Sequence, residues 1–236
     1  MKHPISVWRL HLNRRRAMFI IPLWCIVAYV LLTLLIALMF WRFGAQPGTP
    51  EWVTGMQNNP GVVYALGFYL VTLGVLAVAH LFPFSLMFGV TRSTFVVGTV
   101  IWQATISLLL AVVFLLLSVI EMMTHYWFMG LYIFNVSVLG GGNPVLLLFI
   151  VFFGVFVFLA SGGLFAASWV RAGVKGPQLV GLGFGVLILL LAAAAAPYAN
   201  SLIHSFQLWW LLIMAVVVIA IDIVGTWLLL RTACIR

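Results

Sequence analysis

Six apolar segments, each near the length of a membrane crossing, constrain this chain more than any other feature. They run over about residues 18–41, 62–82, 96–120, 145–168, 179–196 and 208–230. A helix needs about 20 apolar residues to cross the hydrocarbon core, and lipid offers no partner to an open backbone group. The pattern therefore predicts an all-α integral membrane protein, a single transmembrane domain over 1–236 with six transmembrane helices. Composition agrees: 66% of the residues are hydrophobic and 6% charged, too little polar surface to cover a soluble core. The first segment exceeds the roughly 7–15 apolar residues of a signal-peptide core, and five more follow, so it is expected to remain uncleaved.

The cations set the expected orientation. Lys2, Arg9, Arg14, Arg15, Arg16, Arg92, Arg171, Lys175, Arg231 and Arg236 fall on one side of the six segments, and only Arg42 falls on the other. Basic residues resist translocation, so the N- and C-termini are expected to be cytoplasmic. The formal net charge of +8 then suits the lipid bilayer, with each juxtamembrane cation worth about 1 kcal/mol near anionic lipid. No nucleic acid partner is expected. The uncharged stretch Trp127 to Leu139 would invert everything after it if it crossed. It is shorter than the roughly 20 residues a crossing needs and reads as an interfacial or re-entrant segment, ended by Gly140-Gly141-Gly142-Asn143-Pro144.

Three groups of residues could carry function. The N-terminal stretch 1–16 reads as an amphipathic elbow helix, with Ile5, Trp8 and Leu12 at helical spacing and Arg9, Asn13 and Arg16 elsewhere on the wheel. Trp8, Arg9, Arg14, Arg15 and Arg16 are its candidate interfacial anchors; a topology signal alone is the alternative. The connector from His80 to Gly98 is mostly apolar, with Pro83, Gly89 and one cation, Arg92. Water disfavours such a segment, so it must bury itself in the interface, against another protein, or in a tight helical hairpin. Inside the bundle, Gln103, Ser107 and Ser118 keep near one face of the third segment, with Glu121 at its end. Asp222 is the only ionisable residue well within a segment, and Thr226 lies one turn on. These six residues are candidates for a translocation path or a bundle-interior polar set. Asp222, if ionised near a helix centre, costs about 2.5–3.5 kcal/mol and must act as an anchor, contact an arginine such as Arg171, or hold a proton. Gly154, Ser161, Gly162, Gly163, Gly181 and Gly185 are small enough for helix backbones to approach.

Other chemistries find little here. Nothing matches a phosphate-binding glycine loop followed by Lys-Ser/Thr, so ATP hydrolysis by that motif is not expected of this chain. Ala160-Ser161-Gly162 echoes the serine motif of rhomboid proteases, but the sixth segment has no histidine to take the serine proton. His3, His11, His80, His125 and His204 lack the paired spacing of metal ligands. Cys25 and Cys234 are not expected to form a disulfide. No catalytic residue, metal or cofactor is assigned to this chain.

The order of features resembles permease subunits of the bacterial ATP-binding-cassette type-2 exporter family. The likeness rests on the basic N-terminal elbow and on Phe82-Pro83-Phe84-Ser85-Leu86-Met87-Phe88-Gly89-Val90-Thr91-Arg92-Ser93-Thr94-Phe95-Val96-Val97-Gly98 after the second segment. Glu121, the Gly-rich fourth segment and the turn Trp169-Val170-Arg171-Ala172-Gly173-Val174-Lys175-Gly176 extend it over nearly the whole chain. Relatives often carry a second basic residue where Ser93 stands. The resemblance implies a multi-pass protein of the bacterial plasma (inner) membrane, moving an apolar or amphipathic substrate such as a lipid, drug or peptide antibiotic. It makes the connector a coupling helix, with Phe84, Met87, Gly89, Val90, Thr91, Arg92 and Ser93 meeting a separate nucleotide-binding ATPase subunit. ATP and Mg would be bound in that subunit, and a second copy of this chain or a related permease would complete the path. A self-sufficient secondary transporter or channel, or a non-transporting scaffold, is the alternative.

Overall fold

The structure, a computed structural model, describes residues 4–12, 16–198 and 207–233. Among these it is helical, with no strand. Helix α1 covers Pro4–Leu12, α2 Ile21–Arg42, α3 Pro50–Gln57, α4 Gly61–Ala79, α5 Leu81–Met87 and α6 Arg92–Met123. Helix α7 covers Pro144–Ala172, α8 Lys175–Ala195 and α9 Leu208–Arg231. Six regions are long and apolar enough to cross a membrane, one each in α2, α6, α7, α8 and α9 and one in Pro50–Met87, which contains α4. The chain is thus built as a multi-pass membrane protein. The third of these helices begins at Arg92, four residues before the expected start at 96.

Local chemistry explains several boundaries. Thr49 caps α3 by accepting the Trp52 N–H at 3.4 Å, with Pro50 in the first helical position, where a missing N–H costs nothing. Asn143 does the same for α7, its Oδ1 accepting from Val145 and Leu146 N–H at 3.1 and 3.2 Å, ahead of which Pro144 opens the helix. The turn expected over Trp169–Gly176 is shorter in the structure: only Gly173, at φ +63°, and Val174 lie between α7 and α8.

The chain divides into two compact units, and α4, α6 and α7 contribute residues to both. The first unit holds residues 1–11, 71–101 and 159–236. Its core joins Val7 of α1, Val78 and Phe82, Phe95 and Val96, Ala166 and Ala167 of α7, and Leu230 of α9. Close approach of α4 and α7 in this unit depends on glycine: a Cβ on Gly74 would collide with the Leu159 carbonyl, and one on Gly162 with that of Val71. Gly154 and Gly185, grouped with Gly162 by sequence, have nothing within 4 Å of a built Cβ, and Gly181 has only the Phe165 ring at 3.8 Å. Small size there serves no close helix contact among the described residues.

Helix α1 forms over Pro4–Leu12, and the face it packs against the protein is not the stripe expected to meet the membrane surface. Val7 and His11 are buried while Ile5 is exposed and Trp8 and Leu12 are half-buried. Its packing partner is the first part of α6: Gly98 lies against Val7 and the Pro4 carbonyl, and His11 Nε2 and Thr99 Oγ1 are 3.1 Å apart. Arg9 and Arg16 are exposed. Arg14 and Arg15 lie outside the described residues.

The second unit holds residues 12–70 and 102–158. Trp52 of α3 packs with Ala37 and Leu131, and its Nε1 donates to the Gly130 carbonyl at 3.2 Å. The stretch Trp127–Leu139 does not form a long helix. It turns through left-handed backbone at His125, Tyr126, Trp127 and Phe128, with φ between +50° and +62°, runs on without regular structure, and ends in a 3-10 turn, Ser137–Leu139. Leu131, Ile133, Phe134, Asn135 and Val136 of this stretch are buried.

Candidate functional site

Three places gather the polar and exposed groups that could do work. The first is the α5–α6 connector in the first unit. Helix α5 ends at Met87, and the backbone reverses through Gly89 at φ +74°, a left-handed conformation that glycine adopts without strain. The turn leaves Phe84, Met87 and Phe88 exposed, at 44%, 82% and 54%. Phe84 and Phe88 stack edge to face, ring centroids 4.8 Å apart. Val90 is buried in the core beside them. Thr91 precedes α6 and accepts the Thr94 N–H on Oγ1 at 3.3 Å, the geometry of a helix cap.

Arg92 departs from expectation. It is the first residue of α6, not the tip of a loop, and its Nη1 donates to the Leu230 carbonyl at 3.3 Å and to that of Arg231. The guanidinium therefore bonds carbonyls in the last turn of α9, where the Leu230 carbonyl also takes the Ala233 N–H at 3.4 Å. Ser93 Oγ accepts from Trp227 Nε1 at 3.5 Å.

The second place is Asp222 on α9, fully buried. Ser161 of α7 donates to its Oδ2 at 2.7 Å, and Oδ1 has no hydrogen-bond partner among the described residues. Arg171, offered by the sequence as a contact, is exposed instead. Thr226, one turn on, is buried. Gly225 lets α9 approach α7, since a Cβ there would lie 2.8 Å from the Leu164 side chain.

The third place, in the second unit, is a carboxylate enclosed by N–H groups. Glu121 is fully buried and accepts from the backbone N–H of Ile133, Phe134 and Asn135 at 3.2, 2.8 and 3.2 Å. Asn135 Nδ2 and Trp127 Nε1 add bonds at 3.2 and 3.3 Å. Five donors converge on two oxygens, a pattern that suits an acceptor-only group. Ser118 donates to Asn135 Oδ1 at 2.7 Å and so belongs to the same cluster. Gln103 and Ser107 are buried on the same helix, with Ser107 Oγ donating to the Gln103 carbonyl at 2.8 Å. The six expected polar residues thus divide: Asp222 and Thr226 belong to the first unit, the other four to the second. Near this cluster in sequence, a small half-open apolar cavity of about 90 Å³ is lined by Leu66, Leu70, Phe114, Leu139, Val151 and Gly154 among others.

Sequence reasoning missed Asn135 and Trp127 as Glu121 partners, Ser161 as the Asp222 partner and the His11–Thr99 pair. Only Ser161 carried a usable signal, as a hydroxyl on a small-residue face.

No family model, no curated protein and no solved structure matches this chain.

Proposed function

We propose that this chain is the membrane subunit of an ATP-driven exporter, acting with a separate ATPase subunit and moving an apolar or amphipathic substrate. The observation that carries this reading is the exposed trio Phe84, Met87 and Phe88 on a short helix between two long apolar ones. An aromatic and methionine patch on a rigid turn, too short to cross lipid, suits burial against a protein partner. The cation count places that turn in the cytoplasm with both termini, where an ATPase would be found. A second copy of this chain or a related permease would complete the path, in a bacterial plasma membrane.

Purification in mild detergent tests this directly. A soluble ATPase recovered in stoichiometric amount is the expected result, and Met87→Glu should strip it away by placing a charge in an apolar interface. Consistent absence of an ATPase overturns the proposal. One observation favours a second reading, a secondary transporter: the unpartnered Oδ1 of buried Asp222, since intramembrane carboxylates mark ion or proton paths. Loss of transport in Asp222→Asn, with no ATPase bound to the wild type, would select it.

A further inference from the structure

The exporter reading assigns the connector to a partner, yet its one cation is turned inward. Arg92 Nη1 bonds the Leu230 and Arg231 carbonyls, Trp227 Nε1 reaches Ser93 Oγ at 3.5 Å, and the Arg231 guanidinium lies 5.4 Å from the Trp227 ring centroid. The same turns share an apolar core through Val90, Phe95, Val96 and Leu230. The start of α6 and the end of α9 are therefore joined by charged, polar and apolar contacts at once.

We infer that Arg92 is a positioning residue, an internal joint that carries displacement of the α5–α6 connector into the last span. This rests on the exporter reading. A guanidinium meant for a partner would be left free, whereas this one already has acceptors on α9, and Phe84, Met87 and Phe88 remain exposed to meet the partner. Helix α9 extends the connection. Asp222 lies two turns before Leu230, about 12 Å along the axis, and is tied to Ser161 of α7. Movement at the joint therefore reaches the buried carboxylate and, through it, a third helix. Division of labour follows: the aromatic trio binds, and Arg92 transmits.

The test uses the whole chain with its co-purified ATPase subunit in lipid nanodiscs, with Cys25 and Cys234 replaced and Thr232→Cys as the reporter at the end of α9. Maleimide labelling of that thiol is followed with and without a non-hydrolysable ATP analogue. In the wild-type background the analogue should change the labelling rate. Arg92→Ala should retain the ATPase subunit in the same ratio and lose the nucleotide-dependent change. Arg92→Lys, which keeps a cationic donor, should restore part of it. Were Arg92→Ala to misfold, Arg92→Gln retains one donor group and gives the same comparison. Release of the ATPase by Arg92→Ala overturns the inference, because Arg92 would then be a partner contact. An undiminished response at residue 232 also overturns it. Absence of an ATPase from the wild-type preparation overturns the exporter reading and the joint together, whereas a failure confined to the Arg92 comparison removes the joint alone.

Discussion

Replacing Glu121 with Gln separates the charge of this residue from its shape. The carboxylate accepts from three successive backbone N–H groups, the Asn135 carboxamide and the Trp127 indole. Phe134 N and Trp127 Nε1 approach Oε2, while Asn135 N and Nδ2 approach Oε1. A carboxamide can present its oxygen to only one of these sets, and its NH₂ then faces two donors. Each buried donor left unsatisfied costs about 1–3 kcal/mol, so Glu121→Gln should weaken the segment by about 2–6 kcal/mol. The lower bound corresponds to exchange of the Phe134 and Asn135 amides accelerated about thirtyfold if that segment opens locally. Hydrogen–deuterium exchange of the purified protein in nanodiscs, read on peptides covering 131–139, measures this. Glu51→Gln is the control, because Glu51 is exposed in the first turn of α3, and its change should stay within about 0.5 kcal/mol. Wild-type protection in Glu121→Gln would refute the claim that this carboxylate holds the segment.

Four further outcomes are expected. Gly162→Ala should lower thermal stability by an overpacking cost of about 1–3 kcal/mol, read as a fall in melting temperature, while Gly154→Ala should leave it nearly unchanged. Ser161→Ala removes the one hydrogen-bond partner of Asp222 and should cost about 1–3 kcal/mol in the same assay, whereas Asp222→Asn, which keeps an acceptor, should cost less. Met87→Asp, at a side chain 82% exposed, should release the proposed ATPase subunit on size-exclusion chromatography without shifting the melting temperature of the chain alone. In intact cells a single cysteine at Ser137 should label from outside and one at Lys175 should not; the reverse pattern would overturn the orientation derived from the cations, and labelling of both from the same side would show that α7 does not cross.

The long helices were readable because lipid imposes a length and forbids open backbone, so an apolar run of about 20 residues has one outcome. Turns at Gly173 and before Pro144 were readable for the same local reason, as backbone chemistry at a fixed position. Faces were harder. In α1 the apolar spacing of Ile5, Trp8 and Leu12 marked a stripe for the membrane surface, and nothing in it pointed to Val7 and His11 as the residues buried within the protein. A helix whose other side can meet lipid has no single apolar face, so periodicity loses its power to tell inside from outside. Side-chain partners were hidden for a further reason. The donors around Glu121 are mostly backbone N–H groups, and the acceptors of Arg92 are backbone carbonyls, which every residue supplies. Ser161 and Asp222 are distinctive side chains, but they are 61 residues apart, and their meeting depends on the mutual rotation of α7 and α9.

The two buried carboxylates differ in a way that bears on energy supply. Glu121 meets five donors, and among the described residues neither it nor Asp222 is paired with Lys or Arg. A carboxylate so fully bonded resists any change of partner, since each broken bond exposes a buried polar group. Asp222 holds one bond, from Ser161, and among the described residues its other oxygen has no partner, so it can gain a water without breaking a bond. One such group on one helix is a thin basis for an ion-driven cycle, which needs a site that binds and releases in both orientations. The exposed trio at the connector, joined through Arg92 to the helix that bears Asp222, offers another source: work done on the chain from outside the membrane. On that account Asp222 responds to the motion of α9 and does not drive it, and Asp222→Asn should leave ATPase binding intact even if it alters transport.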